Sequence, residues 1–226
     1  MGRIVTSLDL KNDSSPLPGQ KNRVCQGIPY CGRNSRNKKA PLTIAEWNIR
    51  TLMDAQPQLR PHRRTALVAH ELNRYNVDIA ALSETRLPGD DSLKEMGEGY
   101  TFFWKGYEDN ERRIHGVGFA IRSSLLARTN ETPIGISARL MSWRIPLAKH
   151  RFLTLISAYA PTLDTDENQK DIFYETLDRT LAAIPKETKC YSLATSTPEL
   201  ERMTTYGQEL SVNMEWVKPT VMVSDY

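Results

Sequence analysis

The run Ile79-Ala80-Ala81-Leu82 constrains this chain more than any other stretch. It is apolar at four successive positions, with no polar residue in alternation. A strand of that kind is buried on both faces. It stops abruptly at Ser83-Glu84-Thr85-Arg86, and Leu87-Pro88-Gly89 turns the chain away. In open α/β sheets, ligands sit at the carboxyl ends of strands. Glu84 therefore projects where a site would form. A glutamate at a strand end is also what a solvated edge looks like, so its neighbours decide the reading.

Those neighbours make a strand, helix, strand unit. Leu42 to Arg50 alternates, with Leu42, Ile44 and Glu46 facing one way and Thr43, Ala45 and Trp47 the other. That strand ends at Asn48. Pro61 is placed to open a helix whose apolar stripe is Val68, Ala69, Leu72 and Tyr75, with Asn76 as its C-terminal cap. If the two strands are parallel neighbours, Asn48 and Glu84 emerge at the same sheet edge.

Further strands are expected over 100–104, 116–121 and 140–145. The strongest is Phe152 to Tyr159, broken by Pro161. Gly116 and Gly118 flank Val117, which suggests close backbone packing rather than a phosphate loop. His115 reads as a solvated turn residue. A helix from about Asp166 to Ala183 carries Phe173, Leu177, Leu181 and Ile184 on one face, and Pro185 stops it. Three strands thus end in polar side chains: Asn48, Glu84 and Tyr159.

Composition sets outer bounds. The 226 residues suffice for one sizeable domain. No apolar run reaches the 18 or so residues of a spanning helix, so no membrane partner is expected. Cys25, Cys31 and Cys190 form no metal pattern and read as free thiols in a reducing compartment. The expected location is intracellular, nuclear or cytoplasmic. The net charge of +3 permits nucleic-acid binding without arguing for it. Residues 1–40 are rich in Asn, Ser, Pro, Gly, Lys and Arg and read as a basic disordered tail.

Four short stretches, taken together, resemble the endonuclease/exonuclease/phosphatase superfamily, the fold of apurinic endonucleases and deoxyribonuclease I. They are Trp-Asn-Ile-Arg-Thr-Leu (47–52), Leu-Ser-Glu-Thr-Arg-Leu (82–87), Gly-Val-Gly-Phe (116–119) and Ser-Ala-Tyr-Ala-Pro-Thr (157–162). In wording they are closest to the endonuclease domain of RTE-type non-LTR retrotransposons. The resemblance implies an α/β fold, a four-layer sandwich of the DNase I-like type with only the N-terminal half present in 41–189. It implies a Mg²⁺-dependent (or Mn²⁺-dependent) phosphodiester hydrolase acting on DNA, with no protein partner. Glu84 would be the metal ligand, because hard cations take carboxylate oxygen. Asn48 and Tyr159 would be catalytic, orienting and donating to phosphate oxygens as charge builds. Arg50, Arg86 and Thr162 would contact nucleic acid.

The family's second half is missing from 1–226. There a Gly-Asp-Phe-Asn stretch supplies Asp and Asn, and a late Ser-Asp-His supplies the pair that activates water. The terminal Ser224-Asp225-Tyr226 lacks the His and lies too early. The genetic code suggests why. A family-like Leu-Gly-Asp-Phe-Asn-Ala-Arg-Val-Gly can be coded CTT GGC GAC TTC AAC GCC AGA GTT GGA. Read one base later, it gives Leu-Ala-Thr-Ser-Thr-Pro-Glu-Leu, which is 193–200 of this chain. Asn213 to Val217, read one base earlier, encodes His or Tyr, Gly, Val or Met, then Gly, compatible with the family's His-Gly-Val-Gly. The expectation is a frame change near Lys189, leaving 190–226 as an out-of-frame tail and activity in this chain lost. The alternatives are a non-catalytic nucleic-acid-binding remnant and a non-functional retrotransposon-derived product. In hydrogen exchange, slow amides should fall within 41–189. Strong protection across 200–220 would contradict the frame reading.

Overall fold

The computed structural model describes residues 2–8, 42–54, 63–107, 115–147, 151–185, 189–194, 214–216 and 220–222. Twelve strands and three helices are described. The strands are β1 (Gly2–Leu8), β2 (Leu42–Asn48), β3 (Ile79–Ser83), β4 (Asp90–Glu95), β5 (Tyr100–Lys105) and β6 (Val117–Arg122), then β7 (Ile134–Ser137), β8 (Leu140–Pro146), β9 (Phe152–Ala158), β10 (Lys189–Ala194), β11 (Met214–Trp216) and β12 (Thr220–Met222). The helices are α1 (Arg64–Arg74), the single turn α2 (Ser123–Leu126) and α3 (Glu167–Ala182). One sheet has the order β12-β1-β2-β3-β6-β5-β4; the other has the order β11-β10-β9-β8-β7.

Side-chain alternation builds four layers. Ile44, Ile79, Ala81, Phe119 and Ile121 of the first sheet meet Met141, Trp143, Ile145, Leu153 and Leu155 of the second in one core. The opposite face of the first sheet, with Ala45, Ala80, Leu82, Phe102 and Ala120, packs on Ala69 and Leu72 of α1. The opposite face of the second, with Leu140, Ile156 and Ala158, packs on Phe173, Leu177 and Leu181 of α3. β3 is covered on both faces, as its unbroken apolar run requires. The architecture is the expected α/β sandwich.

β2 and β3 are parallel neighbours, with Asn48 level with Ser83. Asn76 caps α1 in the left-handed region, at a φ of 52°, where asparagine costs less than most side chains. The Pro61 helix start and the basic residues from Lys11 to Lys39 lie outside the described residues.

The structure departs from the sequence reading at two ends. Gly2–Leu8, inside the stretch expected to be a tail, pairs antiparallel with β2. The β-branched Ile4, Val5 and Thr6 favour that conformation. Lys189–Ala194, at the start of the stretch expected to be out of frame, runs parallel to β9. Strand pairing uses backbone groups that every residue except proline carries, so β10 is compatible with either frame. β4 and β7 were not anticipated. β4 is an edge strand whose Asp90, Asp91 and Ser92 are exposed, and such polar edges carry no apolar alternation.

The glycines of 116–118 serve packing. A Cβ on Gly118 would run into the Phe103 carbonyl and against the Thr85 methyl, and one on Gly116 into the Thr85 hydroxyl. Gly118→Ala should therefore destabilise the fold by roughly 1–3 kcal/mol. Gly97→Ala, where a Cβ meets nothing, should stay within about 0.5 kcal/mol. Equal urea midpoints for the two variants would contradict this packing.

Candidate active site

Glu84 follows the last residue of β3 with a φ of 56°, and Arg86 and Arg50 share this left-handed backbone at 56° and 59°. Such non-glycine residues typically cost about 1–3 kcal/mol each and need surrounding structure to hold them. That structure is visible. Ile49 N–H donates to the Ser83 carbonyl at 3.2 Å, Leu52 N–H to that of Thr85 at 2.8 Å, Thr85 N–H to that of Gly116 at 3.1 Å, and Arg86 N–H to that of His115 at 2.9 Å. Thr85 is fully buried between the two glycines. The loop is therefore pinned on both sides of Glu84, and the carboxylate is left at the carboxyl end of the sheet.

Three donors converge on that carboxylate. Asn48 Nδ2 donates to Oε1 at 2.7 Å. The Tyr159 hydroxyl donates to the same oxygen at 3.3 Å. Arg86 Nη2 donates to Oε2 at 3.1 Å. The Asn48 amide orientation follows from its other end, since Oδ1 accepts the Arg50 N–H at 3.0 Å and only the amide oxygen can do so. Asn48 comes from the first sheet and Tyr159 from the second. Just below them the Ser157 hydroxyl crosses the sandwich to the Leu82 carbonyl at 3.3 Å.

The two neutral site groups keep their neutral forms. Burial first, then the Glu84 charge and the hydrogen bond to it, push the Tyr159 phenol up from its usual range, so it stays a donor. Burial, helped by the Arg139 guanidinium, pushes the His115 imidazole down to about 4. His115 is thus not the solvated turn residue expected from its charged surroundings. It is half-buried, its ring centroid 5.5 Å from that of Tyr159, with Nε2 2.8 Å from Arg139 Nη2.

Of the sequence-predicted residues, the structure gathers Asn48, Glu84, Arg86 and Tyr159. Arg50 joins through its backbone N–H, and its side chain is exposed. Thr162 does not join; its hydroxyl pairs with that of Thr165 at 3.1 Å. Sequence reasoning missed Arg139, and the signal for His115 was its place directly before the Gly116-Val117-Gly118 motif.

The donor set fits one hydrated divalent cation. Each carboxylate oxygen has two acceptor positions. Oε1 is filled by Asn48 and Tyr159, while Oε2 holds Arg86 alone and keeps one position open. Mg²⁺ commonly retains several waters and binds through one or two carboxylates. Among the described residues, no three His, Cys, Asp or Glu side chains cluster as a fuller cage.

His115 also makes an acid-stability prediction. Its folded pKa of about 4 lies below the ordinary 6.5, so the unfolded chain takes up the proton first as pH falls. Its contribution is complete above about 6.5 and declines toward 4. His115→Gln should lose less stability than the parent between about pH 7 and about pH 5. Equal losses in urea titrations would contradict the assignment.

Comparison with known proteins is consistent with this arrangement. The Endonuclease/Exonuclease/phosphatase family matches residues 45–189. Craniofacial development protein 2 from Bos taurus is 26% identical over 189 residues, which span 81% of this chain and 28% of that protein. A humanized D. rerio TDP2 carrying 14 mutations is 14% identical, with a TM-score of 0.45, over 73% of this chain and 70% of its own. D. rerio TDP2 complexed with a single-strand DNA product is 13% identical, with a TM-score of 0.43, over 72% and 64%. No described helix is long and apolar enough to cross a membrane. The matched span holds Asn48, Glu84 and Tyr159, and the chain belongs to the endonuclease/exonuclease/phosphatase family.

Proposed function

We propose that this chain descends from a Mg²⁺-dependent DNA endonuclease of the RTE retrotransposon type. In the 226-residue form it carries the Glu84 half of the site and does not hydrolyse DNA. The observation that carries this reading is the convergence of Asn48, Tyr159 and Arg86 on one strand-end carboxylate.

Phosphodiester hydrolysis builds negative charge on phosphate oxygens and on the leaving oxygen. Bound at Glu84, Mg²⁺ would supply Lewis-acid neutralisation of that charge. Asn48 holds the Glu84 carboxylate in place. Tyr159, kept protonated, can donate to a phosphate oxygen. Arg86 and Arg50, at the site mouth, suit phosphate contact by charge.

Hydrolysis also needs a group that takes a proton from water, a contribution of about 10²–10⁴-fold. No described histidine serves. His115 has Nε2 engaged by Arg139 and Nδ1 buried. His70 pairs with Glu98 on the exposed side of α1. Neither the Gly-Asp-Phe-Asn nor the Ser-Asp-His stretch occurs in 1–226. Groups that act as a unit lose most of their rate enhancement when some are removed.

The chain as written should give no detectable nicking of supercoiled or abasic DNA. Restoring the frame near Lys189 by one nucleotide, with the downstream coding sequence, should bring Mg²⁺-dependent nicking, and Glu84→Ala should abolish it. Robust nicking by the unrepaired chain would overturn the proposal. A salt-dependent DNA-binding titration separates a retained binder from a product with no function.

A further inference from the structure

Tyr159 lies one residue past β9, beyond the ladder that pairs β9 with β8, so regular sheet pairing does not set its position. Arg139, just before β8, does. Its carbonyl accepts the Tyr159 N–H at 2.8 Å. Its Nη1 donates to the carbonyls of Tyr159 at 3.2 Å and Ala160 at 3.4 Å. Its guanidinium carbon is 5.3 Å from the Tyr159 ring centroid. Its Nη2 is 2.8 Å from His115 Nε2.

Arginine only donates, so His115 Nε2 is the acceptor and the imidazole proton sits on Nδ1. The other end of His115 belongs to the Glu84 loop, since its carbonyl accepts the Arg86 N–H at 2.9 Å. One chain of contacts therefore runs from the Glu84 loop through His115 and Arg139 to Tyr159, across the mouth between the two sheets.

We propose that Arg139 and His115 form a brace that aims the Tyr159 hydroxyl at Glu84, both acting as positioning residues. The planar fork of arginine serves two carbonyls and a ring nitrogen at once, which a lysine ammonium on a flexible stem does not reproduce. With those donors engaged, Arg139 is committed to Tyr159 rather than to a phosphate. The importance of the brace for hydrolysis rests on the reading of Tyr159 as a phosphate donor; its geometry does not.

The test uses the full 226-residue chain with tyrosine labelled by ¹³C at ring Cζ and histidine by ¹⁵N. Tyr159→Phe assigns the Tyr159 signal. The expected parent shows a Tyr159 signal displaced from that of free tyrosine and His115 as the Nδ1–H tautomer. His115→Gln should keep the Tyr159 signal, because the Gln oxygen can accept from Arg139. His115→Phe keeps a ring but no acceptor and should move the signal, as should Arg139→Lys. A role in packing alone reverses the first two results, and that reversal overturns the brace. Equal effects of His115→Gln and His115→Phe overturn it too, as does a parent signal at the free-tyrosine position. Mn²⁺ added to the same samples reports on Glu84 separately. The predicted variant pattern without Mn²⁺ broadening of Tyr159 keeps the brace and overturns the metal reading. Broadening without that pattern does the opposite.

Discussion

Glu84 stands one residue beyond a strand buried on both faces, in a backbone conformation that side chains rarely adopt. Everything around it serves to keep it there. Thr85 turns inward and is fully buried, which it can do only because residues 116 and 118 have no Cβ. The N–H groups of Thr85 and Arg86 are taken by carbonyls at the entry to β6. The loop cannot relax without moving β6, and β6 cannot move without disturbing the core beneath it. Strain at a strand end is thus carried by a glycine-containing neighbour, and the carboxylate stays aimed at the open edge.

The carboxylate also ties the two sheets together. Asn48 reaches it from the first sheet and Tyr159 from the second, with Ser157 bridging just below. The core between the sheets, with Trp143, Phe119 and Leu155 at its centre, must form before these donors can meet. Site and sandwich are therefore one cooperative object. Complete domains are stable by only about 5–15 kcal/mol, so loss of core strands in a shortened descendant would threaten the site before it threatened any single helix.

The fold was legible where hydrophobic pattern decides structure. The unbroken run of β3, the alternation of β2 and β8 and the helical stripe of α3 each name their buried faces. Asn48, Glu84 and Tyr159 stood out because each interrupts a strong strand with a polar side chain. β4 and β7 were not legible, since one is a polar edge and the other a four-residue strand. Arg139 was invisible because it follows a turn, and its role depends on a carbonyl and an imidazole brought there by other strands. His115 was misread because its sequence neighbours are charged, whereas its spatial neighbours are the Tyr107 and Tyr159 rings. Thr162 shared a motif with Tyr159 but turns away toward α3.

A double-mutant cycle between Glu84 and Tyr159, which come from different sheets, tests most directly whether the carboxylate joins the two halves of the site. Glu84→Ala, Tyr159→Phe and the double variant would be unfolded in urea alongside the parent. A coupling of about 0.5–3 kcal/mol is expected for side chains in contact. Stability losses that add to within about 0.5 kcal/mol would contradict it, because the hydroxyl and the carboxylate would then not meet in the folded chain.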